Sequence, residues 1–276
     1  MADERVWLNG SVVRAAEATV SVFDHGLTVG DGVFETLKAQ HGVPFAPRRH
    51  LARLRRSAAS LGLAVPYDDD QLRAAMAAVL ATDDLALARV RITLTGGVSP
   101  LGSDRGEGDP TLVVAVAPLA PPAPSTAVCI VRWTRNEQGA LAGIKSTSYA
   151  DNVIALAAAK QQGCTEGVFA TTRGTLCEGT GTNVFVAVDG RLVTPPLTSG
   201  CLAGVTRELV LEVTDAVEED VPMEVFLAAQ EVFLTSTGRD VQAVSRVGDR
   251  VLSAPGPLTT DAAAAFGALA AADRDP

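Results

Sequence analysis

Lys145 and Glu178 are the side chains of this sequence whose surroundings most suggest chemistry. Lys145 lies in Leu141-Ala-Gly-Ile-Lys145-Ser-Thr-Ser-Tyr149. An amine beside Ala142, Gly143 and Ile144 is in apolar company, and partial burial lowers an amine's pKa and frees it to form a Schiff base with a carbonyl compound. The competing reading is a solvated lysine at a strand end. Glu178 opens Glu178-Gly-Thr-Gly-Thr-Asn183-Val-Phe185, a small-residue loop running into an apolar strand. Taken alone, it reads as a loop carboxylate in solvent.

The elements that must hold these groups follow from pattern. Val6 to Leu8, an Asn9-Gly10 turn and Ser11 to Arg14 form a hairpin, since Asn-Gly accepts the positive φ values of a two-residue turn. Thr19 to Phe23 reads as a further short strand. The run Gly26-Leu-Thr-Val-Gly30-Asp-Gly32 leads into a strand through Phe34 and Lys38; without a following helix it is a weak phosphate-loop signal, and turn glycines are the better reading. Leu51, Leu54, Ala58 and Leu61 recur at helical spacing from Pro47, with Arg49, Arg53 and Arg56 on the same turns. A second helix is expected from about Asp69 to Ala81, then strands at 88–94 and 111–116 separated by a long glycine-rich loop, a length often tied to function.

Pro118-Leu-Ala-Pro-Pro-Ala-Pro124 lacks several backbone donors and favours an extended linker. The expected organisation is an N-terminal α/β domain over 1–118, a linker over 119–125 and a C-terminal domain over 126–276. Within the latter, strands are expected at 128–133, 167–171, 183–188, 191–193 and 231–235. Helices are expected at 151–162, from Gly204 to about Val213, and from about Thr259. No internal repeat is visible.

The 276 residues can bury one large core or two modest ones. A hydrophobic share of 47 % with 20 % charged residues indicates a soluble globular chain without a membrane span, and Met1 to Arg5 has no signal-peptide character, so a cytoplasmic location is expected. Cys129, Cys164, Cys177 and Cys201 are scattered and far from His25, His41 and His50, so neither a metal site nor a disulfide framework is expected. A formal charge of -9 disfavours nucleic acid as a partner.

Together, Lys145, the Glu178 to Phe185 run, Pro195-Pro196 with Gly204-Val-Thr206-Arg207, and Glu231-Val-Phe-Leu-Thr-Ser236-Thr237 resemble the class IV (fold-type IV) pyridoxal-phosphate enzymes. These include branched-chain aminotransferases, D-amino-acid aminotransferases and 4-amino-4-deoxychorismate lyases. The resemblance runs from the Asn9-Gly10 hairpin to the last strands, and four motifs occur in order. It implies an α+β fold of two domains, with a small N-terminal α/β domain and a larger C-terminal domain around a β-barrel-like core. The implied cofactor is pyridoxal 5'-phosphate, joined to Lys145 as an internal aldimine, with Lys145 then moving the proton at the substrate α-carbon. Glu178 would pair with the pyridine nitrogen and Tyr149 with the phenolic oxygen, Tyr149 otherwise being a core tyrosine. Arg53, Val205, Thr206, Ser236 and Thr237 would serve the phosphate, with Thr182 and Asn183 in the same cofactor set.

The substrate side is less determined. D-amino-acid aminotransferases of the well-known bacterial kind carry an arginine and a histidine two apart after Ser-Pro, and Ser99-Pro100-Leu101-Gly102-Ser103 has neither. Arg91, Arg105, Lys38 and Arg239 are unranked cations for a carboxylate, and Phe34 stands where relatives line the pocket. Arg132-Trp-Thr-Arg135 through Lys145 resembles the lyases, whereas the expected asparagine near Ser236 and the arginine after Gly-Gly are missing. The resemblance implies an aminotransferase moving an amino group between an amino acid, of D- or branched-chain type, and a 2-oxo acid. The alternative is a lyase giving 4-aminobenzoate and pyruvate. A non-catalytic binding protein on this fold would need neither Lys145 nor Glu178. A homodimer with small-molecule substrates is also implied.

Overall fold

The structure is a computed structural model that describes residues 4–82 and 84–276. Of the five residues read for signal-peptide character, 1–3 lie outside the described residues. The chain divides into two compact units, each with its own sheet and core, giving a two-domain α+β fold.

Unit 1 contains β1 (Arg5–Leu8), β2 (Ser11–Arg14), α1 (His25–Thr28), β3 (Gly32–Gln40), β4 (Val43–Pro44), α2 (Pro47–Ser60), α3 (Asp69–Leu80), β5 (Leu87–Thr95) and β6 (Thr111–Pro118). The six strands pair antiparallel in the order β2-β1-β6-β5-β3-β4. Asn9 and Gly10, at φ 46° and 100°, make the two-residue turn that Asn-Gly permits. Pro47 starts α2 where its missing N–H costs nothing, and Asp68 and Gln71 cap α3 reciprocally. Both helices bury their apolar faces on the sheet side lined by Val33, Leu37, Val90, Ile92, Leu94, Leu112 and Val114. Alternation along the strands therefore sends Phe34 and Arg91 to the other side of the sheet.

Two differences from the sequence reading stand out here. Thr19 to Phe23 is not a strand. Phe23 N–H donates to the Ser21 hydroxyl and Asp24 N–H to the Ser21 carbonyl, so a local turn uses groups a strand would have paired elsewhere. The glycine run holds a short helix, α1, because the Asp24 side chain accepts from Gly26 N–H at its start.

Unit 2 contains β7 (Ser125–Arg135), α4 (Ala150–Gln161), β8 (Glu166–Thr171), β9 (Leu176–Gly179), β10 (Asn183–Val188), β11 (Arg191–Thr194), α5 (Val205–Val213), β12 (Val217–Glu218), α6 (Met223–Ala228), β13 (Val232–Ser236), β14 (Asp240–Val247), β15 (Arg250–Val251) and α7 (Pro257–Ala272). The strands run in the order β12-β11-β10-β13-β14-β7-β8-β9, with β15 beside β14, and the sheet curls as a half barrel. β7 pairs parallel with both β8 and β14, and α4 is the crossover that parallel pairing of β7 with β8 demands. Glu178 lies in β9 rather than in a loop: Leu176 to Glu178 is a short buried run that pairs with β8.

Residues 144–149 and 274–276 belong to unit 1, so the second domain is not the continuous stretch expected from 126 to the end. Phe34 N–H donates to the Lys145 carbonyl at 2.9 Å, and Thr147 N–H to the Gly32 carbonyl at 2.8 Å, which attaches 144–149 to the first residues of β3. Ile144 packs on the unit 1 core. Among the described residues no helix is long and apolar enough to cross a membrane.

The loop after β5 is held to α1 through His25, whose Nδ1 lies 2.8 Å from Asp31 Oδ2 and whose Nε2 lies 2.9 Å from the Gly102 carbonyl. Both partners are acceptors, so both contacts require the imidazolium, and the Asp31 hydrogen bond raises the His25 pKa above its ordinary 6.5, with the Gly102 carbonyl adding to it. With the folded value raised, the resulting stabilisation is complete below about pH 6.5 and disappears as pH rises through the folded value. Thermal melts of wild type and His25→Gln should therefore converge as pH rises from about 6 to 9; a constant gap across that range would show that His25 does not titrate in this way.

Candidate functional site

Unit 1 gathers Lys145, Phe34, Tyr149 and Arg91. The Lys145 Nζ lies 4.4 Å from the centre of the Phe34 ring, the Arg91 guanidinium carbon lies 3.8 Å from the same ring, and Tyr149 meets it edge-on at 5.3 Å. An ammonium or guanidinium over an aromatic face is attracted by the ring quadrupole, so Phe34 organises the cationic groups around it. Lys145 N–H also faces the Ser57 hydroxyl of α2 at 3.5 Å.

Arg53 is buried at 5 % exposure on the sheet-facing side of α2. Its Nε and Nη2 donate to the two oxygens of Glu35, each at 2.7 Å, and His50 Nδ1 lies 2.7 Å from Glu35 Oε2. Glu35 is fully buried; Arg53 is the leading opposing influence to its desolvation and holds the carboxyl well below the usual carboxylate range. Burial pushes the His50 pKa down, so the neutral ring donates from Nδ1 to the ionised Glu35. Removing one partner of such a buried pair costs about 3–5 kcal/mol, because the remaining charge is left uncompensated.

The other proposed cations of unit 1 are placed differently. Arg105 is committed to Asp31, with Nε at 2.6 Å and Nη2 at 2.5 Å, and Lys38 lies 6.0 Å from the Phe45 ring. Neither contact involves Phe34, whereas Arg91 packs directly on it.

Unit 2 gathers the second group. Glu178 Oε2 accepts from Leu202 N–H at 2.9 Å and Oε1 from Arg135 Nε at 3.2 Å. Arg135 is itself aimed by Asn152 Oδ1, at 3.2 Å from both terminal nitrogens, and by stacking 4.2 Å from the Phe169 ring centre. Asn183 donates to the Leu202 carbonyl at 2.8 Å, and a Cβ on Gly204 would come within 2.0 Å of Asn183 Oδ1, so only glycine fits there. Gly204 is the N-cap of α5 and supplies no side chain to the first-turn N–H groups, which include those of Val205 and Thr206. Thr182 packs on Gly179, and its buried hydroxyl has no hydrogen-bond partner. Asn183 registers with Thr235, whose buried hydroxyl is likewise without a partner; Ser236 ends the strand and Thr237 follows in the turn. Arg239 donates to Gln242 and Glu166.

Cys177 and Cys201 flank this group. Burial pushes both thiols up, Cys201 to about 11, with Glu178 adding to it, so both stay protonated and inert at neutral pH.

This donor set suits an anion. Uncapped N–H groups at the start of a nine-residue helix favour an anion, and the orphaned Thr182 and Thr235 hydroxyls need partners that a ligand can supply. Sequence reading names Lys145, Glu178 and Arg53, and Arg135 as part of a lyase-like stretch, but gives no role to Glu35, His50 or Asn152. For Glu35 a signal existed: it stands in the alternation Val33, Glu35, Leu37, Ala39, where a carboxylate in the core register requires buried donors and a compensating cation, and His50 and Arg53 sit three apart on the helix that follows.

The amino-transferase class IV family matches residues 32–247, and the chain belongs to that family. A Methanocaldococcus jannaschii protein provisionally named a branched-chain-amino-acid aminotransferase is 33% identical over 258 residues, covering 90% of each chain. An aminodeoxychorismate lyase of Bacillus subtilis is 28% identical over 254 residues, covering 88% of this chain and 86% of the relative. A Thermoproteus uzoniensis branched-chain aminotransferase crystallised with norvaline superposes with a TM-score of 0.90 at 28% identity, covering 95% of this chain and 93% of that one.

Proposed function

We propose that the protein is a pyridoxal-phosphate-dependent aminotransferase that takes its amino group from a branched-chain type of amino acid and passes it to a 2-oxo acid. The observation that carries this reading is Lys145, attached through the backbone to the start of β3 with its Nζ over Phe34. Pyridoxal phosphate, when bound, supplies an aldehyde and a ring that withdraws electrons from the substrate α-carbon. Lys145 Nζ would hold the cofactor at its aldehyde and would carry the proton to and from the substrate α-carbon. Glu178, steadied by Leu202 N–H and Arg135, would hold the ring nitrogen with its carboxylate. Arg53 and the first N–H groups of α5 would serve the phosphate. Tyr149 would serve the phenolic oxygen, and Arg91 would be the substrate-side cation because it shares the Phe34 ring with Lys145.

One feature bears on the substrate class. Leu101 and Ser103 stand where D-amino-acid aminotransferases carry an arginine and a histidine, which favours the branched-chain reading. The lyase is the second reading, on the resemblance of Arg132-Trp-Thr-Arg135. In the structure Arg132 stacks 4.5 Å from the Trp133 ring centre and Arg135 pairs with Glu178, an arrangement that serves either reaction. A panel of amino acids, with the cofactor spectrum as readout, should show conversion to the amino form by L-leucine, L-isoleucine or L-valine and release of the oxo acid. Conversion by D-alanine alone would reverse the substrate class, and pyruvate from aminodeoxychorismate with no active amino donor would establish the lyase.

A homodimer belongs to the same proposal. Val20, Val22, Phe23, Leu27, Val29, Val98 and Leu101 are between 46% and 74% exposed. The Asp24–Val98 bridge and the Ser99 N–H bond to Phe23 bring the segments that carry these residues together in unit 1, and exposed apolar side chains on both offer a surface for a second copy. Gel filtration should give about twice the 28.5 kDa chain mass; an active species at the monomer mass would refute the dimer.

A further inference from the structure

We propose that Glu35 is a positioning residue for the cofactor phosphate: its carboxylate fixes the plane and direction of the Arg53 guanidinium, and His50 fixes the carboxylate. The proposal rests on the reading of Arg53 as a phosphate contact. The two-point contact at 2.7 Å and 2.7 Å leaves the guanidinium no free rotation about its last bond. The contact at 2.7 Å to His50 Nδ1, one turn earlier on α2, holds Glu35 Oε2 in turn. All three residues are buried, at 5 % exposure or less, so neither water nor side-chain motion readily substitutes for these contacts.

Charge alone argues in the opposite direction. Glu35 neutralises Arg53 in a low-dielectric setting, so a purely Coulombic account has the anion bound more tightly when Glu35 loses its charge. Positioning has it bound more weakly, because a guanidinium freed from Glu35 must be ordered again at each binding event. The two accounts therefore differ in sign.

Full-length apoprotein is titrated with pyridoxal phosphate and, separately, with pyridoxal, which shares the aldehyde and ring but lacks the phosphate. Glu35→Gln should weaken pyridoxal phosphate about tenfold and change pyridoxal by less than about twofold, and Arg53→Gln should show the same selective loss. The double variant should lose little more than either single one, since both act through the same guanidinium. Unchanged or tighter binding of pyridoxal phosphate by Glu35→Gln, with Arg53→Gln still selective, overturns the proposal and leaves the Arg53 reading standing. Equal effects of Arg53→Gln on both ligands remove the Arg53 reading and the proposal with it. If Glu35→Gln does not melt cooperatively, Glu35→Asp replaces it in the same comparison; it keeps the charge, shortens the reach by one methylene, and should give a smaller loss confined to pyridoxal phosphate.

Discussion

The attachment of residues 144–149 to the beginning of β3 is the constraint on which the account depends. These six residues, set in sequence between two stretches of unit 2, belong to unit 1, pair by backbone with Gly32 and Phe34, and so bring an amine onto an aromatic ring that a distant part of the chain supplies. Backbone pairing is what makes the placement firm. A lysine side chain has four rotatable bonds, and only a fixed Cα together with a favourable surface for its cation confines Nζ to a small region.

Each unit meets the cost of its charged groups in its own way. In unit 1 a carboxylate stands in the core register of β3 and is offset by Arg53 and His50, so the charge on α2 is held without access to water. In unit 2 Glu178 sits near the end of a short strand and receives one backbone and one guanidinium donor. Both arrangements stabilise an ionised carboxylate while keeping the neighbouring groups oriented. The chemistry assigned to the family needs such orientation, because the protein supplies geometry and electrostatics while the cofactor supplies the electron sink.

The regular elements of the fold were largely legible because they follow local rules. The Asn9-Gly10 turn, Pro47 at the start of α2, the apolar spacing of Leu51, Leu54 and Ala58, and the Gly204 entry to α5 each carry a signal within a few residues. The failures have physical causes of the same kind. Thr19 to Phe23 has strand-like composition, yet Ser21 captures the backbone donors of Phe23 and Asp24. Glu178 was read as a loop residue because a four-residue strand is too short to show alternation. Residues 144–149 were assigned to the second domain because nothing in their own sequence announces that Gly32 and Phe34 are their partners. Lys145, Glu178 and Arg53 are named by family motifs; the contacts of Glu35, Arg135 and Asn152 carry no such motif signal, since they come from tertiary partners.

The central claim, that Lys145 is the amine that bonds the cofactor, is tested most directly by borohydride reduction of the holoprotein followed by peptide mapping. The chain has three lysines, Lys38, Lys145 and Lys160, so assignment is unambiguous. The account predicts a phosphopyridoxyl group on Lys145 alone. A reduced adduct on Lys38 or Lys160, with Lys145 unmodified, would contradict it.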